Sequence, residues 1–268
     1  MSVGIYVPTF NVVKYVRESF ESIFKQTYKD FEIVIIDDNS TDGTFNLLNR
    51  IFKSVTHHQW THLEKREEHC GRIVQLKNEC ISKFERQHDY ICHVGSDDLI
   101  PKNCLEIFVK YMDAHPEIGA CCGNFECFDD SGNKWSFPHV ANSGEYDSNI
   151  LLRYMCLFPM RFYRRSVVES VGGYSNELTS AVDYDLALKL DEVTKIHRIK
   201  DPITYYYRQH SQQVSTRARP EQDLNAKMAL ENALKRRGLD AVVKNNAPPF
   251  IIEHIEKEKS NHFIWGVK

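Results

Sequence analysis

Short apolar runs that each end in a polar or acidic loop, separated by amphipathic helices, constrain this chain more than any other feature. Val3 to Val7 closes at Pro8-Thr9, Phe31 to Ile36 at Asp37-Asp38-Asn39-Ser40, and Tyr90 to Val94 at Gly95-Ser96-Asp97-Asp98. Runs of this length bounded by turn residues read as buried strands. Between the first two, Val16, Phe20, Ile23 and Phe24 fall on one helical stripe, and Phe45, Leu48, Ile51 and Phe52 repeat the spacing after the second. Ile73, Leu76, Cys80 and Phe84 do so before the run at Tyr90, which this pattern makes the third strand. Strands alternating with helices imply a mostly parallel sheet covered on both faces.

Beyond Asp98, Pro101 suits the first turn of a helix carrying Leu105, Phe108 and Met112. Ile118 to Trp135 mixes strand and turn around Asp129-Asp130-Ser131-Gly132-Asn133, and Phe162 to Val171 reads as a short helix stopped by Gly172-Gly173. Asp183 to Val193 is a helix, and Ile196 to Tyr207 reads as paired strands around Asp201-Pro202. Past Thr216 the composition shifts. Asp223 to Arg237 forms a helix stopped by Gly238, and Pro248-Pro249 precedes a last stretch from Phe250 to Lys268. The expected organisation is therefore one domain over 1–215 with an appendage over 216–268.

In open α/β sheets ligands bind outside the carboxyl ends of strands, which is where Pro8-Thr9, Asp37-Asp38 and Asp97-Asp98 stand. Either Asp pair alone reads as a turn former or helix cap; two pairs on successive strands point to a site. Adjacent carboxylates supply the hard oxygen ligands suited to Mg2+ or Mn2+ shared with phosphates. No glycine-rich phosphate loop follows the first strand, which disfavours a dinucleotide dehydrogenase or a P-loop kinase. Phosphate charge must then be met by a metal and by basic side chains, among which Arg72, Lys77, Arg208 and His210 are candidates.

Taken together, Val-Pro-Thr-Phe-Asn at 7–11, Asp-Asp-Asn-Ser-Thr-Asp-Gly-Thr at 37–44, Lys77-Asn78, Ser96-Asp97-Asp98 and Val182-Asp183-Tyr184-Asp185-Leu186 resemble glycosyltransferase family 2 in order and spacing. The resemblance covers about residues 3–215. It implies the GT-A fold of nucleotide-diphospho-sugar transferases, with a nucleotide-binding half over 1–100 and an acceptor half over 101–215. It further implies transfer of a sugar from a UDP-sugar, with inversion, to a glycan, lipid-linked or protein-linked acceptor. Carried across, Pro8 and Asp38 meet the uracil ring, Asp38 accepting its ring N–H, with Thr9 and Asp37 beside them and Arg72 near the base or phosphates. Asp97 faces the ribose, Asp98 the metal, and Asp183 is the catalytic base. Arg208 and His210 belong to a segment that closes over the diphosphate, His210 as a further metal ligand. The chain departs from the pattern where Gly95-Ser96-Asp97-Asp98 stands in place of Asp-x-Asp or an extra Asp, which leaves one direct protein carboxylate for the metal, and where Val182 replaces the usual Glu; it also lacks the Gln-x-x-Arg-Trp signature of processive synthases. Asp185 reads as a helix-face residue outside the base's proton site.

Two other readings remain open at this stage: a catalytically silent relative that binds sugar nucleotides or serves as a scaffold, and a nucleotidyltransferase, although no basic, glycine-rich opening loop supports the latter. A net charge of −3 and a pI near 6.5 give no basic field for nucleic acid. With 42% hydrophobic residues, a mean hydropathy of −0.46 and no basic apolar leader, the expected setting is cytoplasmic. The eight cysteines lack a C-x-x-C pair and read as reduced core thiols. His57, His58, His62 and His69 read as a surface loop rather than a zinc site. The tail from Phe250, with Phe263, Ile264 and Trp265 among lysines, suits docking on the catalytic domain or a second subunit, or contact with the inner face of a membrane.

Overall fold

The computed structural model describes residues 1–54, 61–136, 146–213 and 219–254. Its centre is an eight-stranded sheet in the order β3-β2-β1-β4-β7-β5-β6, with β8 paired to β5. These strands are β1 (Val3–Thr9), β2 (Phe31–Asp37), β3 (Thr61–Lys65), β4 (Tyr90–His93), β5 (Ile118–Asp129), β6 (Lys134–Trp135), β7 (Arg161–Arg164) and β8 (Lys195–Gln209). β3, β2, β1 and β4 run parallel, as do β5 and β8, whereas β7 is antiparallel to both β4 and β5. The expected mixed, mostly parallel α/β sheet is present.

Both faces of the central strands are buried because side chains alternate on a sheet flanked by helices. Ile5, Val7, Ile33 and Ile35 pack with α1 (Val16–Phe24), α2 (Thr44–Ser54) and α4 (Cys104–Ala114) through Phe20, Leu48 and Phe108. Tyr6, Val34 and Ile36 face the other way, toward α3 (Ile73–Ser82) through Val74 and Leu76. That second core continues through α7 (Val182–Asp191) into α8 (Arg219–Arg236), where Ala226, Ala229, Leu230, Ala233 and Leu234 are buried. Ion pairs Arg236 to Glu192 at 2.9 Å and Arg237 to Asp191 at 2.9 Å fasten the same seam. The described part of the C-terminal extension therefore shares the domain's core. It ends in a small antiparallel pair, β9 (Ala241–Val243) and β10 (Ile252–His254), beside Phe250, which is buried near Tyr184. Residues 255–268, including the aromatic and lysine cluster of the tail, lie outside the described residues, as do His57 and His58.

Three sequence expectations are corrected. Residues 61–65, read as polar loop, form an edge strand on β2, so the strand at Tyr90 is the fourth in chain order. The polar Thr-His-Leu-Glu-Lys composition hides it, and charged residues are what an exposed sheet edge carries. Residues 162–164, read as the start of a helix, belong to strand β7; the helix α6 (Arg165–Ser170) follows, the short α5 (Ser148–Leu151) preceding both. The segment around Asp201-Pro202 is one strand, β8, which follows β5 with shifts of register instead of folding back on itself. All eight cysteines are free thiols. Among the described residues no helix is long and apolar enough to cross a membrane.

Candidate active site

The loops that leave the carboxyl ends of β1, β2 and β3 meet one another, and the backbone bends sharply to let them. Asn11 and Asn39 adopt positive φ values of 50° and 61°, a region that asparagine tolerates better than most residues. Asn11 takes the N–H of Thr41 on its Oδ1 and gives its own N–H to Ser40 Oγ. Asp37 is fully buried; its Oδ2 accepts the Ser40 N–H at 2.9 Å, while Oδ1 has no partner. Burial pushes its carboxyl up, opposed by the Ser40 hydrogen bonds.

Asp38, 1% exposed, accepts the backbone N–H groups of Cys70 at 3.0 Å and Gly71 at 3.2 Å. It thereby ties the β2 end to the loop after β3. Pro8 and Thr9 are buried, Thr9 spending its hydroxyl on the Val7 carbonyl. The residue of the first loop that presents a ring is Phe10, 41% exposed. It escaped the sequence reading because only its place in the Val-Pro-Thr-Phe-Asn run marked it. Arg72, expected near phosphates, donates to the Asn176 carbonyl at 2.7 Å, in the segment leading to α7.

At the end of β4 the acidic pair divides its labour. Asp98, expected at the metal, is 4% exposed; Oδ2 accepts the Tyr205 hydroxyl at 2.7 Å and Oδ1 the Arg208 backbone N–H at 2.8 Å. Burial and the adjacent Asp97 carboxylate push Asp98 well above the usual carboxylate range. Asp97, expected at the ribose, is the carboxylate that meets His210, Nε2 to Oδ2 at 2.9 Å. Gly95 permits this fold: a Cβ there would lie 2.4 Å from Asp98 Oδ2. An acidic side chain at 95 could not coexist with this position of Asp98, which accounts for the glycine.

Arg208, expected near the diphosphate, is engaged by the protein itself. Its guanidinium lies between the Tyr15 and Phe128 rings, 4.8 and 4.4 Å from their centroids, and bonds Glu18 at 2.6 Å and the Asp97 carbonyl at 2.8 Å. It braces the acidic loop instead.

Asp183 sits in the first turn of α7, where a helix N-terminus favours negative charge. The residue before that helix, Ala181, holds a left-handed φ of 53°, a conformation costing a non-glycine residue about 1–2 kcal/mol. Asp183 Oδ1 takes Lys77 Nζ at 2.7 Å and the Tyr174 hydroxyl at 3.2 Å; Oδ2 takes Arg161 at 3.2 Å. The Tyr174 hydroxyl in turn meets that of Tyr6 on β1 at 2.7 Å. Burial alone would raise Asp183, but the Arg161 and Lys77 cations outweigh it and hold the carboxyl well below the usual range. Lys77, a phosphate candidate by sequence, is thus the partner of Asp183, and Arg161 was not singled out at all. Asp185 is buried on another side of the helix, 2.8 Å from Lys189 and 4.0 Å from Arg236, outside the proton site of Asp183.

Among the described residues, no three or more His, Cys, Asp or Glu gather as a cation site. The Asp97 and His210 pair nonetheless suits a divalent ion, and His210 keeps a buried Nδ1 that has no partner among the described residues. Mg2+ and Mn2+ take few protein ligands when phosphates and waters complete the shell.

This arrangement of acidic strand ends around a parallel sheet is that of a nucleotide-sugar transferase fold. The glycosyl transferase family 2 model matches residues 4–172, and the chain belongs to that family. It is 24% identical over 241 residues to the hyaluronan synthase of Pasteurella multocida, covering 88% of this chain but 23% of that protein. The chain therefore spans about a quarter of that relative's length. In fold it is similar to S. aureus TarS in complex with UDP-GlcNAc, with a TM-score of 0.70 and 21% identity over 85% of this chain and 65% of that one. It is likewise similar to the mannosyltransferase PcManGT from Pyrobaculum calidifontis in complex with GDP-Man and Mn2+, with a TM-score of 0.63 and 20% identity over 92% and 66% of the two chains.

Proposed function

We propose that this domain transfers a sugar from a UDP-sugar to a hydroxyl of a glycan or glycoconjugate acceptor, with inversion, in polysaccharide or glycoconjugate synthesis. The observation that carries the reading is Asp183, an ionised carboxylate clamped by Lys77 and Arg161 and linked through Tyr174 to Tyr6 on β1, the strand that leads into the Phe10 loop. Family membership and neighbours that bind UDP-GlcNAc or GDP-Man support a sugar-nucleotide donor.

In this reading the base of the donor stacks on Phe10 and gives its ring N–H to Asp38. Uracil has such an N–H, whereas the corresponding ring nitrogen of cytosine accepts, so CDP should be refused. Asp97 and His210 would hold Mn2+ or Mg2+; an ion there would neutralise charge developing on the departing diphosphate. Asp98 is assigned a positioning role: through Tyr205 and the Arg208 N–H it fixes the loop that presents Asp97. Asp183 accepts the acceptor hydroxyl's proton as that oxygen bonds to the anomeric carbon. Because its proton affinity is low, the proton moves late, when the attacking oxygen has become strongly acidic.

The reading is tested by titrating UDP, GDP, dTDP and CDP into the protein by calorimetry, with and without Mn2+. UDP should bind and should bind more tightly with Mn2+, and CDP should not. Equal binding of UDP and CDP would contradict the assignment of Asp38, and no effect of Mn2+ would contradict that of Asp97 and His210.

A further inference from the structure

Asp38 carries more donors than a base-reading carboxylate can use at once. Beside the two backbone N–H groups, Arg66 Nε lies 3.5 Å from Oδ1, and His69 Nδ1 lies 2.7 Å from Oδ2 and 3.2 Å from the Asp38 carbonyl oxygen. Both neighbours of Nδ1 are acceptors, so Nδ1 carries the hydrogen. The other face of the contact is aromatic: the His69 ring lies on Phe10, centroids 4.1 Å apart and planes 17° from parallel. A flat ring stacked on Phe10 with a ring nitrogen 2.7 Å from the Asp38 carboxylate occupies the place assigned above to the base, its N–H bonded to the Asp38 carbonyl beside it.

Of the groups on Asp38, those of Gly71 and Cys70 are main chain, the Cys70 thiol that also reaches Oδ2 is held between it and the Arg72 carbonyl, and Arg66 is anchored by its ion pair with Glu79. His69 is the one that can leave, for 46% of its side chain is exposed. It is borne on a loop whose next glycine, Gly71, has φ of 62°, and a Cβ at Gly71 would lie 3.5 Å from His69 Nε2. The positive φ is what favours glycine there, since the added Cβ would make an ordinary contact with the imidazole.

We propose that His69 fills the base subsite in the absence of donor, standing in for the base on Phe10 and Asp38, and that it must swing out before the nucleotide's base can enter. This rests on the proposed base contacts of Phe10 and Asp38. The device makes His69 a determinant of donor affinity that acts by competition, without touching the sugar or the diphosphate. A site plugged for about four-fifths of the time binds about fivefold more weakly than an open one.

The test is calorimetric titration of uridine and of UDP, at fixed Mn2+, into the wild type, His69→Ala and Phe10→Ala. His69→Ala should bind both ligands about fivefold more tightly, by the same factor for each because the gain lies in the base subsite. Phe10→Ala should weaken both. Affinity unchanged or lowered in His69→Ala, or a gain for UDP that uridine does not share, would overturn the plug; weakening by Phe10→Ala in the same series would leave the base subsite itself standing. Binding untouched by Phe10→Ala would overturn the base subsite and the plug with it. Because the His69 side chain is half-exposed, unchanged melting of the unliganded variant should accompany the tighter binding.

Discussion

Asp183→Asn should lower the transfer rate by about a thousandfold, within the range for loss of a general base, while UDP affinity stays within about twofold. The asparagine keeps the shape and one acceptor oxygen, but it cannot take the proton from the acceptor hydroxyl. It also leaves Lys77 and Arg161 facing a neutral amide, so the variant should melt earlier than the wild type, since cations stripped of their counter-charge in a largely buried setting are costly. Steady-state kinetics with a UDP-sugar, paired with UDP calorimetry well below the melting transition, separates the two effects. Near-normal turnover would remove Asp183 from the role of base.

Arg161→Gln should give the rate a new acidic limb. In the wild type the carboxyl is held well below the usual carboxylate range, so Asp183 stays ionised from neutral pH down through pH 4 and contributes no limb there. The same pairing stabilises the fold above the unfolded carboxyl's pKa near 3.9 and is lost only as pH falls through the depressed folded value. Removing one cation raises that value, because burial, which opposes ionisation, then loses the largest of the charges that offset it. A neighbouring charge shifts a carboxyl by about 1–3 units, so kcat/KM of the variant should fall at acid pH where the wild type remains flat. A uniform loss of rate with an unchanged pH profile would mean that Arg161 supports the fold without setting the proton affinity of Asp183.

The layout of strands and helices was legible in the sequence wherever burial left a periodic trace. β1, β2 and β4 are continuous apolar runs because both their faces are covered, and α1, α2 and α3 show the stripe that covers them. β3 left no such trace, being a polar edge strand, and β7 was hidden by its continuity with α6. In the site, sequence located the acidic pairs at strand ends but not their division of labour. Consecutive residues at a strand end point different ways, so that Asp97 meets His210 while Asp98 turns inward to Tyr205. Arg208 was a sound candidate for phosphate by charge alone; only the packing of Tyr15, Phe128 and Glu18 around it reveals a brace. The clamp on Asp183 joins α3, β7 and α7, and the Phe10 and His69 stack joins two loops 59 positions apart, distances over which local spacing carries no signal.

The central claim is that the acidic strand ends form one donor site, with Phe10 and Asp38 at the base and Asp97 and His210 at the ion. A crystal structure of the protein with UDP and Mn2+ tests it most directly. The expected result is the uracil stacked on Phe10 with its ring N–H on Asp38, His69 displaced, and Mn2+ held by Asp97 and His210. UDP seated elsewhere, or Mn2+ held by Asp98 with Asp97 and His210 uninvolved, would contradict it.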